Sequence, residues 1–219
     1  MPAETVDYYW SFRSHYCYLS IGRVMEISRR YPVDIRLRPV LPMVVRNPDF
    51  FTSMPKTGPN RWTYIQHDAE RIAERLGLPF AWPDPDPVQM DHQTYQANSE
   101  QPHILRFNRL ALAAESLDCG LEFASAVAGT VFGGVKNWHQ GTHLTDALAA
   151  SGLELSALEQ LASSHSADYD RQIVANGEAL FEAGHWGVPT LVFRGEPFFG
   201  QDRLEDFCWR LEQQGIKPV

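Results

Sequence analysis

Two distant segments hold the residues whose types and spacing can do chemistry. The first is Ser11-Phe12-Arg13-Ser14-His15-Tyr16-Cys17-Tyr18-Leu19, after the apolar run Val6-Asp7-Tyr8-Tyr9-Trp10. It places the Ser14 hydroxyl where a strand turns into a helix. Free N–H groups and the helix dipole favour an anion at such a start. A serine hydroxyl there can donate a hydrogen bond to a thiolate. It can equally be a plain N-cap, which many helices carry. Cys17 lies three residues later, about one turn into the helix. It cannot close a disulfide with Ser14. An exposed Cys17 would be open to a mixed disulfide, and a buried one would be inert.

The second segment is Trp186-Gly187-Val188-Pro189-Thr190-Leu191-Val192-Phe193, followed by Phe199-Gly200-Gln201-Asp202-Arg203-Leu204. A proline after a glycine-containing loop and before a strand fits a cis peptide or a structural turn. Gln201 and Asp202 open the last helix, where backbone N–H groups suit a carboxylate. The alternative is an Asp cap beside a solvated Arg203. Arg46, Asn47, Asn60 and Arg61 lie in a polar, proline-rich stretch. An arginine there can grip a carboxylate with two parallel hydrogen bonds, or simply sit in a solvated loop. Trp62, Trp82, Trp138 and Trp186 can line an aromatic pocket or serve packing. His139 and His143 have the spacing that metalloproteases use, but Gln140 stands where the general-base glutamate belongs and Gly141 weakens the helix. No metal is expected.

The elements that must position these residues are legible in outline. Residues 5–10 are β-branched and aromatic, as in a buried strand. Residues 16–31 carry a helical apolar face and end before Pro32. Val33, Ile35 and Leu37 then alternate with Asp34, Arg36 and Arg38, the period of a strand. A right-handed crossover makes these two strands parallel. Residues 39–60 are irregular, broken by Pro39, Pro42, Pro48, Pro55 and Pro59. A helix follows at 62–76, stopped by Gly77, then an extended loop with Pro79, Pro83, Pro85 and Pro87. Two helices fill 101–137, divided near Cys119-Gly120. Shorter ones fall near 144–150 and 156–163, the latter opening on a capping box of Ser156 and Glu159. A helix at 167–183 stops at Gly184. Strands at 190–194 and 196–199 flank an Arg194-Gly195 turn, and a helix at 203–214 closes the chain.

The 219 residues suffice for one large domain or two small ones. At 44% hydrophobic and 21% charged, the composition is that of a globular protein. The net charge of −8 argues against a nucleic-acid partner. The first residues lack a basic n-region and an apolar h-region, so no signal peptide is expected. No stretch is apolar for long enough to span a bilayer, so no membrane partner is expected. The three cysteines are odd in number and far apart, which fits a reduced, cytoplasmic protein better than a disulfide framework. Cys119 and Cys208 are expected in the helical core.

With the order β-α-β, helical block, β-β-α in place, the chain resembles the DsbA-like branch of thioredoxin-fold proteins. Within it, the chain is similar to 2-hydroxychromene-2-carboxylate isomerases and kappa-class glutathione transferases. The resemblance rests on Ser14-His15-Tyr16-Cys17-Tyr18-Leu19 after the first strand, Trp186-Gly187-Val188-Pro189-Thr190, Gly200-Gln201-Asp202-Arg203, and Tyr64-x3-Asp68-x2-Arg71 in the middle. His15 stands where that family has proline, and Cys17 where it has serine.

The resemblance implies an α/β fold, a thioredoxin-like core of residues 1–42 and 178–219 interrupted by an all-helical insertion of 43–177. It implies glutathione as cofactor, with its thiolate at Ser14, its backbone on Val188 beside a cis Pro189, and its γ-glutamyl end at Gln201 and Asp202. It implies a glutathione-dependent isomerase or transferase acting on a small electrophilic aromatic acid, with Arg46, Asn47, Asn60 and Arg61 near that substrate, and a homodimer. Two alternatives stay open: an atypical thiol-disulfide oxidoreductase using Cys17, and a non-catalytic thioredoxin-fold protein that binds peptides beside Pro189.

Overall fold

The computed structural model describes residues 3–47, 60–91, 93–94 and 96–219. Strand β1 (Glu4–Trp10) and β2 (Val33–Pro39) pair in parallel, with Glu4 opposite Val33 and Trp10 opposite Pro39. In β2, Val33, Ile35 and Leu37 are buried while Asp34, Arg36 and Arg38 are half-exposed, as the alternation requires. Arg38 reaches across to Asp7 at 2.6 Å, satisfying the polar side of both strands.

Helix α1 (His15–Arg30) connects them. Its buried Cys17, Ile21, Val24 and Ile27 recur at helical spacing and face the sheet side. Strand β3 (Thr190–Phe193) then lies antiparallel to β1, with Tyr9 opposite Thr190. Strand β4 (Glu196–Phe199) pairs with β3 through a turn whose Arg194 and Gly195 both have positive φ. Such a turn matches the twist of a two-residue hairpin. The sheet order is β2-β1-β3-β4.

Between β2 and β3 the described chain is helical. It runs through α2 (Met43–Arg46), α3 (Asn60–Leu76), α4 (Pro102–Glu115), α5 (Gly120–Phe132), α6 (His143–Ala150), α7 (Leu155–Ser164) and α8 (Ser166–Glu182). Helix α9 (Leu204–Gln213) ends the fold and packs on α1 and β4. α4 packs on β2 and on its helical neighbours α5, α7 and α8. One buried cluster therefore joins sheet and helices, from Val6, Tyr8 and Trp10 to Phe107, Phe123 and Leu158. Aromatic edges link them directly: Trp10 meets Phe12 at 5.7 Å, and Phe12 meets Phe107 at 5.5 Å. α8 is continuous across residues 177 and 178.

Two expectations are corrected. α7 begins at Leu155 with Glu154 as its N-cap, so Ser156 does not cap it; the Ser156 hydroxyl donates to the Glu154 carboxylate at 2.5 Å instead. The capping spacing is present, but the helix starts two residues too early to use it. Cys119 and Cys208 are only half-buried, packed at the edge of the core rather than within it. Among the described residues, no helix is long and apolar enough to cross a membrane.

Candidate active site

β1 and β3 are neighbours, so the residues leaving β1 and those entering β3 meet at one end of the sheet. Ser14 follows β1 by a short turn, its N–H held by the Ser11 carbonyl at 3.0 Å. It is the N-cap of α1 with extended backbone, and its Oγ accepts from the Cys17 N–H at 3.3 Å. Ser14 is half-buried. Arg13, just before it, clamps Asp86 through Nε and Nη2 at 2.8–3.0 Å. That pair ties the proline-rich loop after α3 to the start of α1.

Cys17 is fully buried. Burial pushes its thiol up to about 12, against smaller opposing pulls from the Ser14 hydroxyl and the Ser11 backbone. It is a protonated core thiol at neutral pH. His15 packs its ring against Tyr16 and Trp82, at 4.1 and 5.0 Å. Burial pushes it down to about 4, although the Asp68 carboxylate pulls the other way. The Tyr16 hydroxyl donates to Asp68 at 2.9 Å, and Arg71 donates to the same carboxylate at 3.1 Å. The middle motif thus braces the first turn of α1.

On the β3 side, the Val188-Pro189 peptide bond is cis. The loop before it is fixed by the Thr190 hydroxyl donating to the Gly187 carbonyl at 2.7 Å and by His185 stacking on Phe199 at 3.9 Å. A side chain at Gly187 would strike the Phe199 ring, so only glycine lets these meet. No turn, cap or side-chain hydrogen bond among the described residues takes up the N–H or carbonyl of Val188. The Gly200 N–H donates to the Pro189 carbonyl at 2.9 Å, which draws the 200–203 turn to the proline. Gly200 has φ of 109°, and a Cβ there would meet the Asp202 carboxylate at 2.5 Å. Gln201 is buried and Asp202 exposed.

A residue absent from the sequence reading enters here. Arg23, on α1, donates from Nη2 to the Gln201 Oε1 at 2.5 Å and to the Leu19 carbonyl at 3.2 Å. Its half-buried guanidinium feels Asp202 and Glu205 as attractive charges and Arg75 as a repulsive one. No local motif announces this contact, because its partners lie 178 residues apart.

The sequence-predicted residues therefore separate into groups. Ser14, Val188, Pro189, Gln201 and Asp202 share one end of the sheet. Arg46 reaches the same loop, but its Nε donates to the Leu41 carbonyl at 2.7 Å and its Nη2 to the Trp186 carbonyl at 2.9 Å. Desolvation lowers the pKa of its guanidinium. Asn47 caps α2 and is exposed. Both border a cavity of about 620 Å³ with Leu41, Met43, Phe181 and Trp186, which Ser14 does not line. Asn60 and Arg61 open α3, and their side chains, like that of Trp62, lie outside the described residues. Trp138 is buried with its indole N–H on the Pro85 carbonyl, whereas Trp82 and Trp186 are partly open. His139 packs against His103 and Trp138 rather than pairing with His143.

The family model of the DSBA-like thioredoxin domain matches residues 5–212. The chain belongs to this DSBA-like family. It is similar to 2-hydroxychromene-2-carboxylate isomerase from Pseudomonas putida, 26% identical over 213 residues that span 91% of this chain and 90% of that protein. Among solved structures, it is similar to an HCCA isomerase, with TM-score 0.68, 23% identity, and coverage of 96% of this chain and 97% of the other. It also resembles the cytosolic disulfide reductase DsbM from Pseudomonas aeruginosa, with TM-score 0.59, 17% identity, and coverage of 96% and 98%. In this DSBA-like chain the first helix opens on the Ser14 hydroxyl, and the cysteine one turn on is sealed in the core.

Proposed function

We propose that this protein is a glutathione-dependent isomerase of the 2-hydroxychromene-2-carboxylate isomerase type, or a closely allied transferase, acting on a small electrophilic aromatic acid. The observation that carries this reading is the pairing of an Oγ at the start of α1 with a buried Cys17. A two-cysteine redox cycle has no leading thiol in this chain. A hydroxyl and a helix N-terminus there instead suit a thiolate supplied from outside.

The residues present fit glutathione. Val188 offers a backbone N–H and carbonyl unpaired among the described residues beside Pro189, the arrangement by which an extended peptide adds to a strand edge. Gln201 and Asp202 follow within the turn tied to the same proline, offering an amide and a carboxylate to a zwitterionic end. When bound, glutathione would supply a thiolate that adds to a conjugated double bond, permits rotation about it and is expelled.

The protein's own part is electrostatic and positional. Ser14 would donate its proton toward sulfur and lower the cost of the anion, and the unpaired N–H groups of the first turn would add to this. Arg13 with Asp86, and Tyr16 with Asp68, would hold that turn rigid. The similarity to the P. putida isomerase supports an isomerisation and favours a hydroxychromene-like carboxylate as substrate.

The test is turnover of 2-hydroxychromene-2-carboxylate, followed by its ultraviolet spectrum, with and without glutathione. The expected result is a reaction that requires glutathione. No glutathione-dependent change with this compound, or with chloro-nitroaromatic or quinone acceptors, would overturn the reading.

A further inference from the structure

Resting on the glutathione reading, we propose that Arg23 is the positioning residue that fixes the polarity of the Gln201 amide, and so makes this turn select an α-carboxylate. A guanidinium has donors and no acceptor. Its Nη2 stands 2.5 Å from Gln201, so the amide oxygen must be the atom turned toward it. The amide NH₂ then points the other way. That nitrogen has no hydrogen bond among the described residues, and it is not one of the polar atoms sealed from solvent. Gln201 is 8% exposed, so its open surface is small and its orientation counts.

Left alone, a glutamine amide presents either an acceptor or a donor with little preference. Held by Arg23, it presents two donors, which match a carboxylate and reject an ammonium. Asp202, next in sequence and exposed, presents the complementary acceptor, with Arg203 Nη2 3.6 Å from its carboxylate. Donor and acceptor side by side read the carboxylate and ammonium of an α-amino acid.

Arg23 is itself poised for this task. Its second contact, to the Leu19 carbonyl on the preceding turn of α1, lays the guanidinium along the helix. Its Nε is buried without a partner. Among the described residues, no carboxylate lies within ion-pair distance of it, so its positive charge stays available to the site. Neither the serine cap nor the proline loop requires an arginine at this place. An amide whose oxygen must face inward does.

The experiment is calorimetric binding of glutathione and of an analogue whose γ-glutamyl group is replaced by 4-aminobutyryl, which lacks the α-carboxylate. Wild type, Arg23→Met, Arg23→Lys and Gln201→Glu are compared, with circular dichroism melts to check folding. Arg23→Met should weaken glutathione at least about tenfold and leave the analogue unchanged, since a hydrogen bond to a charged group is being lost. Arg23→Lys should recover part of the loss. Gln201→Glu gains an ion pair with Arg23 and so should fold, but it turns an acceptor toward the ligand and should lose glutathione selectively. If Arg23→Met does not fold, this variant carries the test.

Unchanged glutathione binding in Arg23→Met, or equal weakening of both ligands, would overturn the role of Arg23 while leaving the glutathione reading standing. Failure of wild type to bind glutathione at all would overturn both.

Discussion

The Cys17 backbone N–H donates to the Ser14 hydroxyl oxygen across 3.3 Å, so the group proposed to face a thiolate is also the cap of the helix that displays it. The two roles use different parts of one hydroxyl: the oxygen lone pair caps, and the proton is the part a thiolate would draw on. They can be separated by substitution. Ser14→Ala removes both and should cost about 1 kcal/mol of stability. It should also lower glutathione-dependent turnover on the order of a hundredfold, as loss of a single anion-stabilising donor does. Ser14→Asp keeps a good capping acceptor but sets a negative charge where the sulfur would lie. Its urea midpoint should stay near that of wild type while turnover is lost. Full activity in Ser14→Ala would reduce the residue to a cap.

Cys17 bears on the rival redox reading. It is fully buried and its thiol is pushed up to about 12, so almost none of it is thiolate at pH 8. Iodoacetamide at that pH should leave Cys17 unmodified in the native protein and modify it in concentrated urea, as mapped by mass spectrometry. Cys17→Ala should retain turnover with only a modest loss of stability, since the residue acts as a small apolar filler. Rapid alkylation of native Cys17 would revive the oxidoreductase reading.

Local chemistry made much of the fold legible in the sequence. The alternation of Val33, Ile35 and Leu37, the Arg194-Gly195 turn and the proline stop after α1 each dictate their own structure within a few residues. The ends of β1 and β3 are matched through the resemblance to a thioredoxin-like core, which sets the strands beside Ser14 and Pro189 next to each other. Contacts between distant side chains left no such trace. Arg23 on Gln201, Arg13 on Asp86 and Arg46 on the Trp186 carbonyl depend on how helices settle on the sheet. The Ser156 capping pattern shows the converse: a local signal that goes unused because the helix takes Glu154, two residues earlier, as its N-cap. Arg46 is the sharpest case, since a loop arginine reads as a ligand group whether or not the backbone has already claimed it.

Arg46 donates to two carbonyls from different segments, Leu41 and Trp186, and so fastens the chain after β2 to the loop before Pro189. Arg46→Met should cost about 1–3 kcal/mol, because both carbonyls lose a charged donor. Hydrogen exchange followed by mass spectrometry should quicken in peptides covering 41–47 and 185–189. KM for glutathione should rise through the loosened loop. A variant with unchanged exchange but a raised KM for the aromatic acid alone would instead assign Arg46 to that substrate's carboxylate.

His15 gives the chain a pH dependence with a determinable sign. Burial between Tyr16 and Trp82 pushes the imidazole down to about 4, against the upward pull of Asp68 and with Arg13 acting in the same sense as burial. Its Nε2 is buried without a partner among the described residues, so protonation there gains nothing. In the unfolded chain a histidine titrates near 6.5. Between those values the unfolded state holds a proton that the folded state does not. The stability that His15 contributes is thus fully present above about 6.5 and is lost as pH falls toward 4. The slope is at most about 1.4 kcal/mol per pH unit. Proline is the apt replacement, because His15 is the first residue of α1, where the missing N–H and fixed φ of proline are tolerated. Urea unfolding at pH 7, 6, 5 and 4.5 should show His15→Pro losing less stability than wild type over that window. Whatever else titrates does so in both proteins, so the difference in slope isolates this imidazole. Parallel slopes would mean that His15 titrates alike folded and unfolded, and that the packing of Tyr16 and Trp82 leaves it open to water.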